Sequence, residues 1–281
     1  MSPWIIALIS VISALLLFFL IFLFLIAPGK KREEMENFKS KKYAHRGLHD
    51  ATRAENSLSA FRAAVDAGYG IELDVRLSKD GVLVVFHDDT LDRVTGEVGR
   101  VDSRTAAELG KINLSGTADT VPTFEEVLKV VNGRVPLLVE LKEDAGKYGV
   151  TEKALEMLKE YKGEYIIESF NPLALGRVKK LAPEVMRGFL SQNFLSQKKY
   201  RSATYFLLQN LLLNVVCRPD FIAYKHSDYK NASLRLVKAL FKPATLAWTV
   251  RSKTEEDEAY LCGFDGVIFE NYVPGGNVNE K

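Results

Sequence analysis

The chain has 281 residues, 47% hydrophobic and 26% charged, enough for one sizeable folded domain plus an apolar segment. A formal net charge of +2 leaves no basic surplus to neutralise a run of phosphates, which argues against nucleic acid as a partner. Cys217 and Cys262 fit neither a disulfide framework nor a metal-ligand spacing, and read as free thiols.

From Trp4 to Ala27 there is no charge, and Ser10 and Ser13 alone interrupt Ile, Leu, Phe, Val and Ala. At 1.5 Å per residue such a run spans the roughly 30 Å core of a bilayer, so residues 1–28 are read as a transmembrane helix. Its length, and the lack of Lys or Arg before it, argue against a cleaved signal peptide. Residues 29–42 form a basic linker containing Lys30, Lys31, Arg32, Lys39, Lys41 and Lys42. The positive-inside rule then predicts a single-pass cell-membrane protein with residues 43–281 in the cytoplasm.

Tyr43 to Gly47 reads as a short strand ending in His45 and Arg46. Asn56 or Ser57 caps a following helix with Leu58, Phe61, Ala64 and Val65 on one face, which Gly68 stops. Ile71 to Leu77 and Val82 to His87 read as a hairpin around Asp80-Gly81, a pair that suits a two-residue type I′ turn. In that register Asp74 faces His87. Strand alternation puts Glu72 and Asp74 on one face, so two carboxylates and an imidazole converge. Neighbouring carboxylates repel unless a cation or proton compensates them.

Residues 89–121 are polar, Gly-dotted and weakly periodic, and read as a small insertion. Pro122 then opens a helix that Gly133 ends. Beyond it, strands are expected at Leu137 to Lys142, Tyr165 to Phe170, Val185 to Leu190, Phe221 to Tyr224, Leu246 to Val250 and Gly266 to Glu270. With the strands at Tyr43 and Ile71 they make eight, alternating with helices, and the hairpin's second arm lies outside the count. This is the pattern of an α/β fold, the TIM (β/α)8 barrel, whose active sites lie at the carboxyl ends of the strands. His45, Arg46, Glu72, Asp74, Glu140, Lys142 and Trp248 all fall at or near such ends. Glu168 and Glu270 do too, without a pattern that assigns them a role. His49 reads as a loop residue, and His226 as a turn or mouth residue.

His45-Arg46-Gly47, Glu55-Asn56, Glu72-x-Asp74, Lys79-Asp80-Gly81, His87-Asp88, Pro122-Thr123-x-Glu125-Glu126-Val127-Leu128 and Glu140-Leu141-Lys142 resemble, in order and spacing, the glycerophosphodiester phosphodiesterase family. The resemblance covers about Tyr43 to Tyr272. It implies a barrel that uses one divalent metal ion to cleave a phosphodiester to glycerol 3-phosphate and an alcohol. It places metal ligands at Glu72, Asp74 and Glu140, and catalytic histidines at His45 and His87. Oxygen ligands favour Mg²⁺ or Ca²⁺. Arg46, Lys142, Glu55 and Trp248 are expected around phosphate and substrate. Two departures are Ala54-Glu55-Asn56-Ser57 for Pro-Glu-Asn-Thr, and Arg251 for Asn after Trp248-Thr249-Val250. The second touches the side of the pocket that selects the alcohol.

Two alternatives stand beside a soluble glycerophosphodiester substrate. One is lysophospholipase D activity on membrane lysophospholipids; the other is a silent, membrane-tethered binding module. Only Asn271 to Lys281 follows the eighth strand, too short and Gly-rich for an outer helix. Lys31 to Lys41, with Met35 and Phe38 three apart, is expected to occupy that outer slot. Its membrane end would then lie beside the mouth and turn the site to the bilayer. Ala203 to Val216 is read as the helix between the fifth and sixth strands, with a second possibility that it dips into lipid.

Overall fold

The computed structural model describes residues 1–30, 33–144 and 149–275. Nine strands form one sheet: β1 (Lys42–Ala44), β2 (Gly70–Leu77), β3 (Leu83–Val85), β4 (Leu137–Leu141), β5 (Tyr165–Ser169), β6 (Arg187–Ser191), β7 (Phe221–Lys225), β8 (Ala244–Val250) and β9 (Gly266–Phe269). β1 pairs in parallel with both β2 and β9, which closes the ring. β3 hangs from β2 as an antiparallel arm. The expected barrel is therefore present, with its eight parallel strands where the sequence puts them. The helices are α1 (Pro3–Ile26), α2 (Met35–Lys39), α3 (Leu58–Asp66), α4 (Asp92–Thr95), α5 (Ala106–Leu109), α6 (Phe124–Val131), α7 (Gly149–Glu160), α8 (Pro172–Leu181), α9 (Ala203–Gln209), α10 (Asn214–Cys217), α11 (Ala232–Leu240) and α12 (Lys253–Leu261). The Ala203 to Val216 run is thus two short helices joined by a turn.

Residues two apart on a strand share a face. The lower inward layer, Tyr43, Leu138, Ile166, Phe221, Leu246 and Ile268, belongs to one buried apolar cluster. Two positions further along, the same faces carry His45, Glu140, Glu168, Trp248 and Glu270. The alternation that packs the floor therefore also aims the polar groups at the mouth. Outward-facing Leu73, Val139, Ile167 and Ile222 join Phe61, Val127, Leu175 and Val237 of the helices in the larger core. Each such side chain contributes about 1.5–3 kcal/mol by leaving water.

Three expectations are corrected. First, α2 does not lie in an outer slot. Met35 and Phe38 are buried in the floor cluster, Tyr43 Oη donates to Phe38 O at 3.2 Å, and Lys39 pairs with Asp265, just before β9, at 3.9 Å. A five-residue helix with two apolar side chains plugs a barrel end but cannot cover the outer face of two strands. Lys31 and Arg32 lie outside the described residues. The linker thus reaches the end opposite the mouth, which removes the reason to place its membrane end beside the site.

Second, the β2–β3 register is one residue from that expected: Val75 faces Val85, Arg76 faces Val84 and Leu77 faces Leu83. Third, the loop has three residues, 79–81, and not two. Ser78 N–H donates to Val82 O at 2.9 Å, and Gly81 N–H to Ser78 O at 3.0 Å. Ser78 is the cause, since its Oγ donates to Asp80 at 2.6 Å and accepts from Val82 N–H at 3.0 Å, which starts the turn one residue early. Gly81 supplies the left-handed residue such a loop needs, at φ 74°. Asp74 O consequently accepts from Phe86 N–H at 2.9 Å. His87 lies one step past the expected pair, where Arg76 Nε holds its carbonyl at 2.9 Å. Under the arm, Phe86, Leu91, Val94, Val101, Leu109 and Leu114 form a small separate core.

α1 is long and apolar enough to cross a membrane, at about 36 Å for its 24 residues. Its last turn is gripped by the barrel domain. Asn214 Nδ2 donates to Ile26 O at 2.7 Å, and Arg218 donates to Phe24 O and Ala27 O at 2.9 and 2.8 Å. A cation on the final carbonyls also suits the helix dipole.

Candidate active site

At the carboxyl ends of the strands a cavity of about 180 Å³ is lined by His45, Arg46, Glu72, His87, Glu140 and Trp248, among others. Strand pairing sets the acids side by side, with Asp74 opposite Glu140 and Glu140 opposite Glu168. One carboxylate oxygen from each of Glu72, Asp74 and Glu140 lies within 4.8 Å of the others, and all three residues are buried. Burial, Asp74 and Glu140 push the Glu72 carboxyl well up. Burial also raises Asp74, but Lys142, His87 and Arg46 outweigh it and hold that carboxyl well down. Lys142 bridges the pair, 3.0 Å from Asp74 and 2.6 Å from Glu140. Lys142 and Arg46, the latter 3.5 Å from Asp74, are outnumbered by the three crowded carboxylates, and this all-oxygen donor set fits a hard divalent cation.

Arg46 sits at φ 58°, a left-handed conformation that costs a non-glycine residue about 1–3 kcal/mol. The turn aims its N–H at Glu72 Oε2, 2.9 Å away. Gly47 follows at φ 81°, and a Cβ there would lie 2.9 Å from Ala60. The guanidinium donates to Glu55 at 2.7 Å and lies 3.5 Å from Asp74. Asn56 Nδ2 donates to Asp74 Oδ2 at 2.8 Å. The loop between β1 and α3 thereby locks onto the acids of β2.

Both cavity imidazoles are held through Nδ1 by a carboxylate. His45 Nδ1–H donates to Glu270 Oε2 at 2.5 Å, and His87 Nδ1–H to Asp88 Oδ1 at 2.6 Å. Burial, outweighing Glu270, lowers the His45 pKa to about 4, so its ring is neutral at pH 7. This fixes one tautomer and leaves Nε2 as an acceptor, 4.0 Å from Glu72. Asp88 is held in turn by Arg93 at 2.6 Å, and Arg93 donates to Glu55 at 2.7 and 2.8 Å. A continuous polar chain therefore runs from His87 to Arg46. Trp248 stands edge-on to Phe170, centroids 5.4 Å apart.

Thus His45, His87, Arg46, Glu55, Glu72, Asp74, Glu140, Lys142 and Trp248 all belong to one end of the barrel. His226 does not line the cavity; it lies 3.6 Å from Glu255. His49 lies 4.0 Å from Glu270, beside the site. Sequence reading missed Arg93 and the Arg251–Glu270 pair, 2.5 Å apart. It also left Glu168 and Glu270 alike. The structure separates them: Glu270 holds His45, whereas Glu168 is buried, raised well up by burial, Glu72 and Glu140, and keeps Oε2 without a hydrogen-bond partner. The two-residue period from Ile166 and Ile268 was the available signal.

Residues 45–273 match the model of the glycerophosphoryl diester phosphodiesterase family. The chain belongs to that family. A glycerophosphodiester phosphodiesterase of Caldanaerobacter subterraneus is 33% identical over 244 residues, 81% of this chain and 93% of that protein. Among solved structures, an Oleispira antarctica phosphodiesterase in complex with the product sn-glycerol-3-phosphate superposes with a TM-score of 0.70 at 28% identity, covering 84% of this chain and 95% of that one. A glycerophosphodiester phosphodiesterase of Thermotoga maritima gives 0.63 at 28% identity, covering 81% and 93%. Family membership makes the chain a phosphoric diester hydrolase, and every motif residue quoted from the sequence lies within the matched span.

Proposed function

We propose that this phosphodiesterase hydrolyses glycerophosphodiesters to glycerol 3-phosphate and an alcohol, in phospholipid and glycerol metabolism, with one divalent cation held by Glu72, Asp74 and Glu140. The observation that carries it is the convergence, at the carboxyl ends of the barrel strands, of three crowded carboxylates and two carboxylate-held imidazoles. The cation, Mg²⁺ or Ca²⁺, supplies Lewis-acid stabilisation of a phosphoryl oxygen. Arg46 and Lys142 bind the remaining phosphate charge, Arg46 with its planar fork.

His45, kept neutral by burial, removes the proton from the substrate's own glycerol hydroxyl. That oxygen attacks phosphorus, and His87, the more exposed of the two at 31%, protonates the departing alcohol. The resulting cyclic phosphate is opened by water with the two imidazoles in exchanged roles. Glu55 holds Arg46 in place, and Trp248 walls the substrate side. The apolar α1 is read as a membrane anchor, with the barrel on the cytoplasmic side as the basic linker predicts. A phosphatase reporter fused after Lys281 that became active outside the cell would reverse this orientation.

The full chain, assayed on a panel of soluble glycerophosphodiesters with and without chelator, should release glycerol 3-phosphate only when metal is present. Absence of hydrolysis across the panel with Mg²⁺ or Ca²⁺ supplied would overturn the reading.

A further inference from the structure

Among the described residues, three that line the catalytic cavity carry a buried side-chain nitrogen or oxygen with no hydrogen-bond partner: Arg46 Nε, Glu168 Oε2 and Trp248 Nε1. Arg46 Nε lies 3.5 Å from Asp74 and shares in that ion pair. Neither of the other two has a part in the proton transfers above. A buried polar atom without a partner is costly, which marks both as groups that a bound molecule satisfies. Strand alternation turns both inward: Glu168 stands two residues beyond Ile166 on β5, and Trp248 two beyond Leu246 on β8, over the floor that Ile166 and Leu246 help to build. Phe170, two residues past Glu168, meets Trp248 edge-on at 5.4 Å between centroids, which draws the two walls together. Glu168 is 1% exposed. The other acids of the cavity are engaged, since Glu72 accepts the Arg46 N–H, Glu140 holds Lys142, and Glu270 holds His45 and Arg251. Glu168 also stands outside the three-carboxylate group that suits the cation.

The leaving alcohol lies with His87, whose side chain is 31% exposed, and the glycerol with His45, at 14%. Glycerol therefore fills the inner part of the cavity. One of its oxygens carries the phosphate, a second attacks, and a third hydroxyl remains. A hydroxyl both donates and accepts, so it meets a carboxyl oxygen and an indole N–H together, as a methyl group or an ester oxygen does not. We propose that Glu168 Oε2 and Trp248 Nε1 form the subsite for this third hydroxyl, so that the enzyme selects glycerophosphodiesters whose glycerol is unacylated. An acyl chain on that oxygen removes the proton that Glu168 accepts, and adds bulk to a cavity of about 180 Å³. This rests on the phosphodiesterase reading above and narrows its substrate.

The test compares two soluble substrates on the full-length protein with Mg²⁺ or Ca²⁺: glycerophosphocholine, and 2-hydroxypropyl phosphocholine, which keeps the attacking hydroxyl and carries a methyl in place of the third. The kcat/KM of the wild type should be about 10–100-fold lower on the analogue, the scale of a buried polar group left unpaired. Glu168→Leu should bring that ratio below about threefold, and Trp248→Phe should lower it by about threefold or more, whereas Glu168→Gln keeps a hydrogen-bonding group and should retain most of it. The rise in Tm on adding metal should be the same in Glu168→Leu as in the wild type. A wild-type ratio near one, or a ratio unchanged in both Glu168→Leu and Trp248→Phe, overturns the subsite alone. Loss of the metal-induced rise in Glu168→Leu would make Glu168 a ligand of the cation and overturn it as well. If the wild type hydrolyses neither substrate with metal present, the phosphodiesterase reading fails with it.

Discussion

His45 Nδ1 lies 2.5 Å from Glu270 Oε2, and the same carboxylate is gripped 2.5 Å away by Arg251. The two partners come from opposite ends of the sequence, β1 and β9, and meet because those strands pair to close the barrel, with Ala44 opposite Phe269. Glu270 therefore orients the imidazole, and Arg251 orients Glu270. Glu270→Gln keeps the size but lets the imidazole adopt the other tautomer. The kcat on a glycerophosphodiester should fall about 100-fold, the scale of general-base catalysis, with KM changed less than threefold. Arg251→Asn should fall less than tenfold. An unaltered kcat in Glu270→Gln would remove the positioning role.

The same pair predicts acid sensitivity. His45 has a pKa near 4, below its ordinary 6.5, because burial disfavours the cation. Burial raises Glu270, but His45 and Arg251 outweigh it and hold the carboxyl at about 2. From pH 6.5 down to 4 the unfolded chain takes up a proton that folded His45 refuses, and from 4.5 down to 2 the same holds at Glu270. In both windows the unfolded state binds more protons, so stability falls as pH falls. The His45 share is about 3 kcal/mol at most. Urea unfolding of metal-free protein at pH 7 and 4.5 should show a smaller loss in His45→Gln than in the wild type. Identical losses would mean that His45 is not buried neutral.

Crowding of Glu72, Asp74 and Glu140 makes metal binding and stability one quantity. A cation that binds the folded state alone adds stability as RT ln(1 + [L]/Kd), about 2.7 kcal/mol at a hundredfold excess over Kd. Calcium or magnesium should therefore raise the Tm of the wild type by several degrees, and chelator should return it. In the Glu72→Gln/Asp74→Asn double variant the metal shift should vanish, while the metal-free Tm falls, because Lys142 and Arg46 lose the buried Asp74 carboxylate that pairs with them. A metal-independent wild-type Tm would contradict the ligand set.

The barrel was legible because its strands are short apolar runs separated by helix-sized intervals, and because each inward face repeats every two residues. Leu138, Glu140 and Lys142 show how one period yields a floor residue, a carboxylate and a cation in sequence. The hairpin register was not legible, since Asp80-Gly81 alone suits a two-residue turn and the decisive bond comes from the Ser78 side chain. Arg93 and Arg251 were hidden for a similar reason: Arg93 meets Glu55, and Arg251 meets Glu270, only through tertiary packing. The place of α2 was misjudged because Met35 and Phe38 reveal that a face is apolar, not which surface receives it.

That misjudged helix supports the last prediction. Met35 and Phe38 are 3% and 6% exposed, and they close the barrel end over Tyr43, Phe221, Leu246 and Ile268. Removing buried Met or Phe side chains costs about 2–5 kcal/mol each, against a whole-domain stability of about 5–15 kcal/mol. A fragment starting at Lys42 would expose the floor to water, whereas one starting at Lys30 keeps the plug and lacks only α1. For a domain of this size each kcal/mol moves Tm by about 2–4 °C. The shorter fragment should melt at least 10 °C below the longer, and Phe38→Ala in the longer fragment should account for about half of the gap. The catalytic mouth is at the other end, so at 20 °C both fragments that remain folded should hydrolyse soluble substrate at similar rates. Equal melting temperatures for the two fragments would show that α2 rests on the barrel without closing it.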